Sequence, residues 1–126
     1  MKTTYAEFVM ALAKKGEYII ETLTPEKAHR LHMAVGISGE AGELLDAIKK
    51  EAIYNKPLDR ENVIEELGDL KFYITGLMYS PGISEEEVEA HNRAKLGKRY
   101  ASFTYSDQAA QDRADKDTVG TLLANR

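Results

Sequence analysis

The chain has 126 residues, 43% hydrophobic and 30% charged, which suits one globular domain and leaves no room for a second. A formal net charge of −4 and a pI near 5.4 argue against nonspecific nucleic-acid binding, which needs basic surface to neutralise phosphates. The absence of cysteine removes disulfides, zinc-thiolate sites and thiol nucleophiles; no apolar run approaches the roughly 20 residues of a membrane span, and the first residues lead into no signal-peptide core, so a cytoplasmic location is expected.

In chain order, the punctuation predicts four helices and a polar tail, an all-α fold. Thr3 or Thr4 caps a first helix to about Leu23, with Tyr5, Phe8, Val9, Leu12 and Ile19 apolar. Thr24-Pro25 starts a second, because Thr is a good N-cap and Pro suits the first helical position; it runs to about Tyr54, before Asn55-Lys56-Pro57. Asp59 caps a third helix that runs to about Tyr79 and stops at Ser80-Pro81-Gly82. Ser84-Glu85-Glu86-Glu87 has the spacing of a capping box and opens a fourth, to about Tyr100. Beyond it the chain is polar and charged, with a short helix expected around Asp107–Gln111.

Within the second and third helices lie two acidic pairs, Glu40 with Glu43 and Glu66 with Asp69. Residues three apart on a helix sit about 60° apart around its axis, so each pair aims two carboxylates at one patch of space. Apolar stripes run beside them: Met33, Ile37, Leu44 and Ile48 in one helix, Val63, Leu67, Leu70, Ile74 and Leu77 in the other. Asn62, Glu66, Asp69 and Tyr73 form the adjoining polar line, which makes Asn62 and Tyr73 candidates for substrate contact. If the two helices face each other, four carboxylates converge, each pair at roughly 6 Å repelling by on the order of 3 kcal/mol at an effective dielectric of about 20. Such a group demands cations, and oxygen-only donors suit Mg²⁺ or Mn²⁺. The alternative is ornamental surface acid.

Other residues leave two readings open. Gly36, Gly39 and Gly42 weaken the second helix; they serve either close approach of a ligand to Glu40 and Glu43 or tight helix packing. Asn92, Lys95 and Arg99 share one line of the fourth helix, where the cations either clamp phosphate oxygens or decorate a basic helix end. His29 and His32 lie on the side of the second helix that carries Glu40, but two or three turns away, too far to share one metal centre with the acids.

Three segments in order, Gly39-Glu40-Ala41-Gly42-Glu43-Leu44, Glu65-Glu66-Leu67-Gly68-Asp69-Leu70 and Asn92-Arg93-Ala94-Lys95-Leu96-Gly97-Lys98-Arg99-Tyr100, resemble the MazG-type all-α nucleoside triphosphate pyrophosphohydrolases over roughly residues 25 to 105. The resemblance implies a pyrophosphohydrolase domain over 1–105, a four-helix bundle completed by dimerisation and often assembled into a homotetramer; the polar residues 106–126 are expected as a tail for packing on a partner subunit. It implies that Glu40, Glu43, Glu66 and Asp69 hold two or more Mg²⁺ or Mn²⁺ ions and that Lys95 and Arg99 contact phosphates. The reaction implied is hydrolysis between the α and β phosphates of a nucleoside triphosphate, with Glu43 the candidate to take the proton of the attacking water. The compact length and the run from Lys98 into Phe103 and on to Arg113 look more like bacteriophage-encoded members, among them the MazZ type, which cleaves dGTP and in some cases dATP. Pyrimidine nucleotides such as dCTP and dUTP, or broad nucleotide clean-up, are the alternatives, and a catalytically silent helical dimerisation module is the competing class. Two features depart from better-known members: a single unit where larger ones carry two, and no tryptophan to stack on the base.

Overall fold

The computed structural model describes residues 2–116, and among them the chain is all helix, with no strand. The helices are α1 (Tyr5–Leu12), α2 (Gly16–Thr22), α3 (Pro25–Ala52), α4 (Arg60–Tyr79), α5 (Glu85–Arg99) and α6 (Asp107–Asp112), followed by a 3₁₀ turn at Ala114–Lys116. No helix among the described residues is long and apolar enough to cross a membrane. The end of the polar tail, residues 117–126, lies outside the described residues.

Side-chain caps set most of the helix starts. Thr4 and Glu7 form a reciprocal capping box on α1, while Thr24 accepts the Lys27 N–H at 3.2 Å, Asp59 that of Asn62 at 3.1 Å and Ser84 that of Glu87 at 3.1 Å. The single first helix expected from the sequence is two. Ala13 and Lys15 are extended, with ψ of 132° and 144°, and Gly16 opens α2 with no side-chain cap. An interior glycine costs up to about 1 kcal/mol in a helix, and this segment has no buried residue to offset it. Farther on, α3 ends two residues before Tyr54; Asn55 then takes a left-handed backbone, φ 52°, as only Gly and Asn do readily, and turns the chain toward Pro57.

The chain divides into two compact units, Met1–Pro81 and Gly82–Arg126. In the first, α3 and α4 pack as an antiparallel hairpin. Two reciprocal contacts set its register. The Tyr73 ring of α4 rests where Gly36 of α3 lacks a side chain, and Met33 of α3 reaches into the space over Gly76 of α4. Toward the open end of the hairpin, a ring nitrogen of His29 donates to the Gly76 carbonyl at 2.9 Å and Arg30 donates to Ser80 Oγ at 3.1 Å. Met33 and Ala47 are the buried apolar side chains among the described residues. The predicted stripes are only half covered: Ile37, Leu44, Val63, Leu70 and Leu77 are half-buried, whereas Ile48, Leu67 and Ile74 are exposed. One hairpin has a single contact face and cannot enclose a core.

In the second unit, the 3₁₀ turn and α6 pack against α5. An ion pair holds them there. Arg99 Nε donates to Asp115 Oδ1 at 2.8 Å and Nη2 donates to Oδ2 at 3.3 Å, with the Asp115 side chain only 1% exposed.

Candidate metal centre

Continuing the register set by Gly36–Tyr73 and Met33–Gly76, the next turn of α3 toward its C-terminus brings Glu40 opposite Glu66 and Asp69 of α4. One carboxylate oxygen from each of these three lies within 4.8 Å of the other two. Glu40 and Glu66 are half-buried and Asp69 is exposed, so the group sits on the rim of the helix interface. That position follows from the sequence: the acids border the apolar stripes, so packing the stripes carries the carboxylates to the edge of the contact and no farther out.

Glu66 is the electrostatically strained member. Its Oε2 is buried and has no hydrogen-bond partner among the described residues. The carboxyl is pushed above the ordinary carboxylate range, chiefly by hydrogen bonding to Glu40, which favours the protonated form, then by burial, then by the charges of Glu40, Glu43 and Asp69. A shared proton relieves such a cluster, and so does a cation. The donor set is carboxylate oxygen throughout, the chemistry of Mg²⁺ and Mn²⁺, and the unpartnered Oε2 supplies a lone pair that nothing else among the described residues uses. The residues therefore fit a hard divalent ion. Glu43 stands outside this group of three and is exposed, although its charge is among those acting on Glu66.

The remaining predicted site residues have distinct surroundings. Asn62 is half-buried in the first turn of α4. Tyr73 is half-buried too, with one face on Gly36, His32 edge-on at 6.2 Å between ring centroids and Phe72 at 5.2 Å. Of the three glycines, Gly36 thus serves helix packing, whereas Gly39 and Gly42 face open space. His29 is engaged with the backbone of α4 at Gly76, away from the acids. In the second unit Asn92 and Lys95 are exposed and line an open groove of about 540 Å³ with His91 and Glu87. Arg99 is not a free cation. Asp115 grips it in two places, holding the guanidinium above its ordinary pKa and the carboxyl below its own. Nothing local in the sequence marks Asp115, which lies 16 residues away in what reads as a solvated tail.

A helical hairpin that gathers three carboxylates at its rim defines an all-α class with a candidate site for a hard cation. Residues 28–103, more than half of the chain, match the model of the MazG nucleotide pyrophosphohydrolase domain, and the chain belongs to that family. No curated protein and no solved structure matches it.

Proposed function

We propose that this protein hydrolyses nucleoside triphosphates, with purine deoxynucleotides such as dGTP and dATP preferred, to the monophosphate and pyrophosphate with the help of Mg²⁺ or Mn²⁺. The observation that carries this reading is the convergence of Glu40, Glu66 and Asp69 around an unpartnered carboxylate oxygen, within a chain of a pyrophosphohydrolase family. The purine preference is supported by resemblance alone, to bacteriophage members of the MazZ type.

Each residue contributes a separate task. Glu40, Glu66 and Asp69 would hold the ions, two or more, with Glu43 on the adjacent turn of α3. Divalent ions bound there would neutralise the triphosphate and make a water acidic enough to attack at neutral pH. Glu43 is exposed and lies outside the tight group, so its oxygens stay available to accept the proton of the attacking water while the water's oxygen bonds to the α phosphorus and the α–β bridging bond breaks. Lys95, exposed on α5, would balance charge on the departing pyrophosphate. Arg99 shares that task only if it exchanges Asp115 for phosphate. Asn62, Tyr73 and Asn92 are proposed substrate contacts, Tyr73 through its ring edge because one face is occupied by Gly36.

The exposed apolar surface of the α3–α4 hairpin, including Leu67 and Phe72, is what a second copy would cover, and on this reading the working form is a homodimer or a dimer of dimers. Pyrophosphate release from a panel of purine and pyrimidine triphosphates, with Mg²⁺, Mn²⁺ or chelator, tests the proposal. Metal-dependent release that is lost in Glu66→Gln and Asp69→Ala supports it; no release from any nucleotide defeats it, and faster turnover of dCTP or dUTP than of dGTP overturns the purine preference.

A further inference from the structure

Tyr100, Phe103 and Tyr105 gather where α5 ends. The chain leaves the helix at Tyr100, the Phe103 N–H donates back to the Tyr100 carbonyl at 2.7 Å, and Phe103 itself adopts φ 55°. This left-handed backbone is unfavourable for a bulky residue. Burial does not compensate it, since Phe103 is 87% exposed. Its ring stands near the bare backbone of Gly97, where a Cβ would meet it at 3.6 Å. The Tyr100 and Tyr105 rings pair at 5.7 Å, and the Tyr105 hydroxyl donates to Asp107 Oδ1 at 2.6 Å, which holds that ring in place.

These rings, with Asn92, Arg93 and Leu96, line a cavity of about 360 Å³, within the roughly 300–1,000 Å³ typical of small-molecule sites. Asn92 also lines the adjoining groove, where Lys95 and His91 stand beside Glu87, Ile83 and Val88, and Arg93 supplies a cation on the wall of the aromatic cavity itself. An aromatic compartment with Arg93 on its wall, joined through a side-chain amide to a groove that carries Lys95, offers a nucleotide a surface for the flat base and cations within reach of its phosphate. We propose that the Tyr100–Phe103–Tyr105 pocket binds the purine base of a nucleotide by stacking, with the Asn92 amide reading the base edge. A purine offers the larger ring face to stack. The proposal rests on the nucleotide reading above and adds to it the element that recognises the base.

The test uses the full chain, isotope-labelled and titrated by NMR without divalent ions against deoxyguanosine monophosphate, deoxyadenosine monophosphate and inorganic pyrophosphate. Both monophosphates are expected to shift the amides of Gly97, Phe103 and Thr104, and pyrophosphate to leave them in place. Phe103→Leu, which keeps apolar bulk but loses the ring face, weakens monophosphate binding about tenfold or more, and Phe103→Tyr restores it. Absence of shifts at these amides up to millimolar monophosphate, equal shifts with pyrophosphate, or unchanged affinity in Phe103→Leu overturns the proposal. So does a drop in sedimentation coefficient of Phe103→Leu without nucleotide, which assigns the rings to contact between copies. Triphosphate hydrolysis by the wild type without base-dependent shifts sinks the pocket alone, whereas shifts without hydrolysis keep the base site and sink the enzyme reading.

Discussion

The Tyr73 ring of α4 lies against the backbone of Gly36 on α3, so closely that a methyl group at position 36 would overlap it. That contact lies about one helical turn from Glu40 and Asp69, and with Met33 over Gly76 it sets which residues of the two helices face each other. The acids meet because the glycines allow the helices to approach.

Alanine substitutions along α3 separate this packing role from helix propensity. Gly36→Ala is expected to destabilise the protein by up to about 2 kcal/mol, because overpacking of about 1–3 kcal/mol is offset by only the roughly 1 kcal/mol gained in helix propensity. Gly39→Ala and Gly42→Ala, facing open space, stabilise it by up to about 1 kcal/mol. Urea unfolding in chelator compares the three, and Mn²⁺ titration of Gly36→Ala should show weaker binding as the hairpin is forced apart.

Glu66→Gln replaces an unpartnered, repelled carboxylate by a neutral amide. In chelator the variant should melt at a higher temperature than wild type, since the like-charge repulsion is relieved. With Mn²⁺ the order reverses, because wild type gains binding energy that the variant lacks. Pyrophosphate release falls by about a hundredfold or more, the scale of losing one group from a preorganised charge-stabilising site. A variant that melts below wild type in chelator would argue that the Glu66 carboxylate is not under strain.

The Arg99–Asp115 pair gives stability a pH signature. Asp115 titrates below its ordinary value of 3.8, mainly because Arg99 hydrogen-bonds its carboxylate. A carboxyl depressed in the folded state contributes stability that is present above the unfolded value, and the contribution is lost as pH falls through the folded one. Thermal unfolding followed from pH 6 to pH 2 should therefore show Asp115→Asn below wild type near neutrality, with the gap narrowing only below about pH 4. A gap that stays constant across this range would mean that the carboxylate charge does not matter.

His29 and Gly76 are 47 residues apart in sequence, and their hydrogen bond joins the ends of the hairpin farthest from the α3–α4 loop. His29→Ala is expected to cost about 0.5–1.5 kcal/mol in urea unfolding. Activity should be nearly unchanged, since the imidazole is tied to backbone away from the acids. A large loss of turnover with intact stability would place His29 in the site after all.

How far these features were legible depends on the range of the interaction that sets them. Thr24, Asp59 and Ser84 each cap a donor three residues onward, so the starts of α3, α4 and α5 are written in neighbouring letters. The acidic pairs are equally local: a three-residue step on a helix puts Glu66 beside Asp69 whatever else the chain does. The break at Ala13–Lys15 was missed because the apolar spacing continues across it, while the backbone cost of Gly16 met no compensating burial. Nothing near Arg99 announces Asp115, and nothing near Tyr73 announces Gly36, since those partners meet only when whole helices and turns dock. Composition, caps and periodicity thus carried the helical class and the identity of the candidate ligands. That carboxylate oxygens of Glu40, Glu66 and Asp69 come within 4.8 Å of one another while Glu43 stands outside the group, and that Arg99 is paired with Asp115, follow from packing, because side-chain volumes at distant positions select the register in which the helices fit.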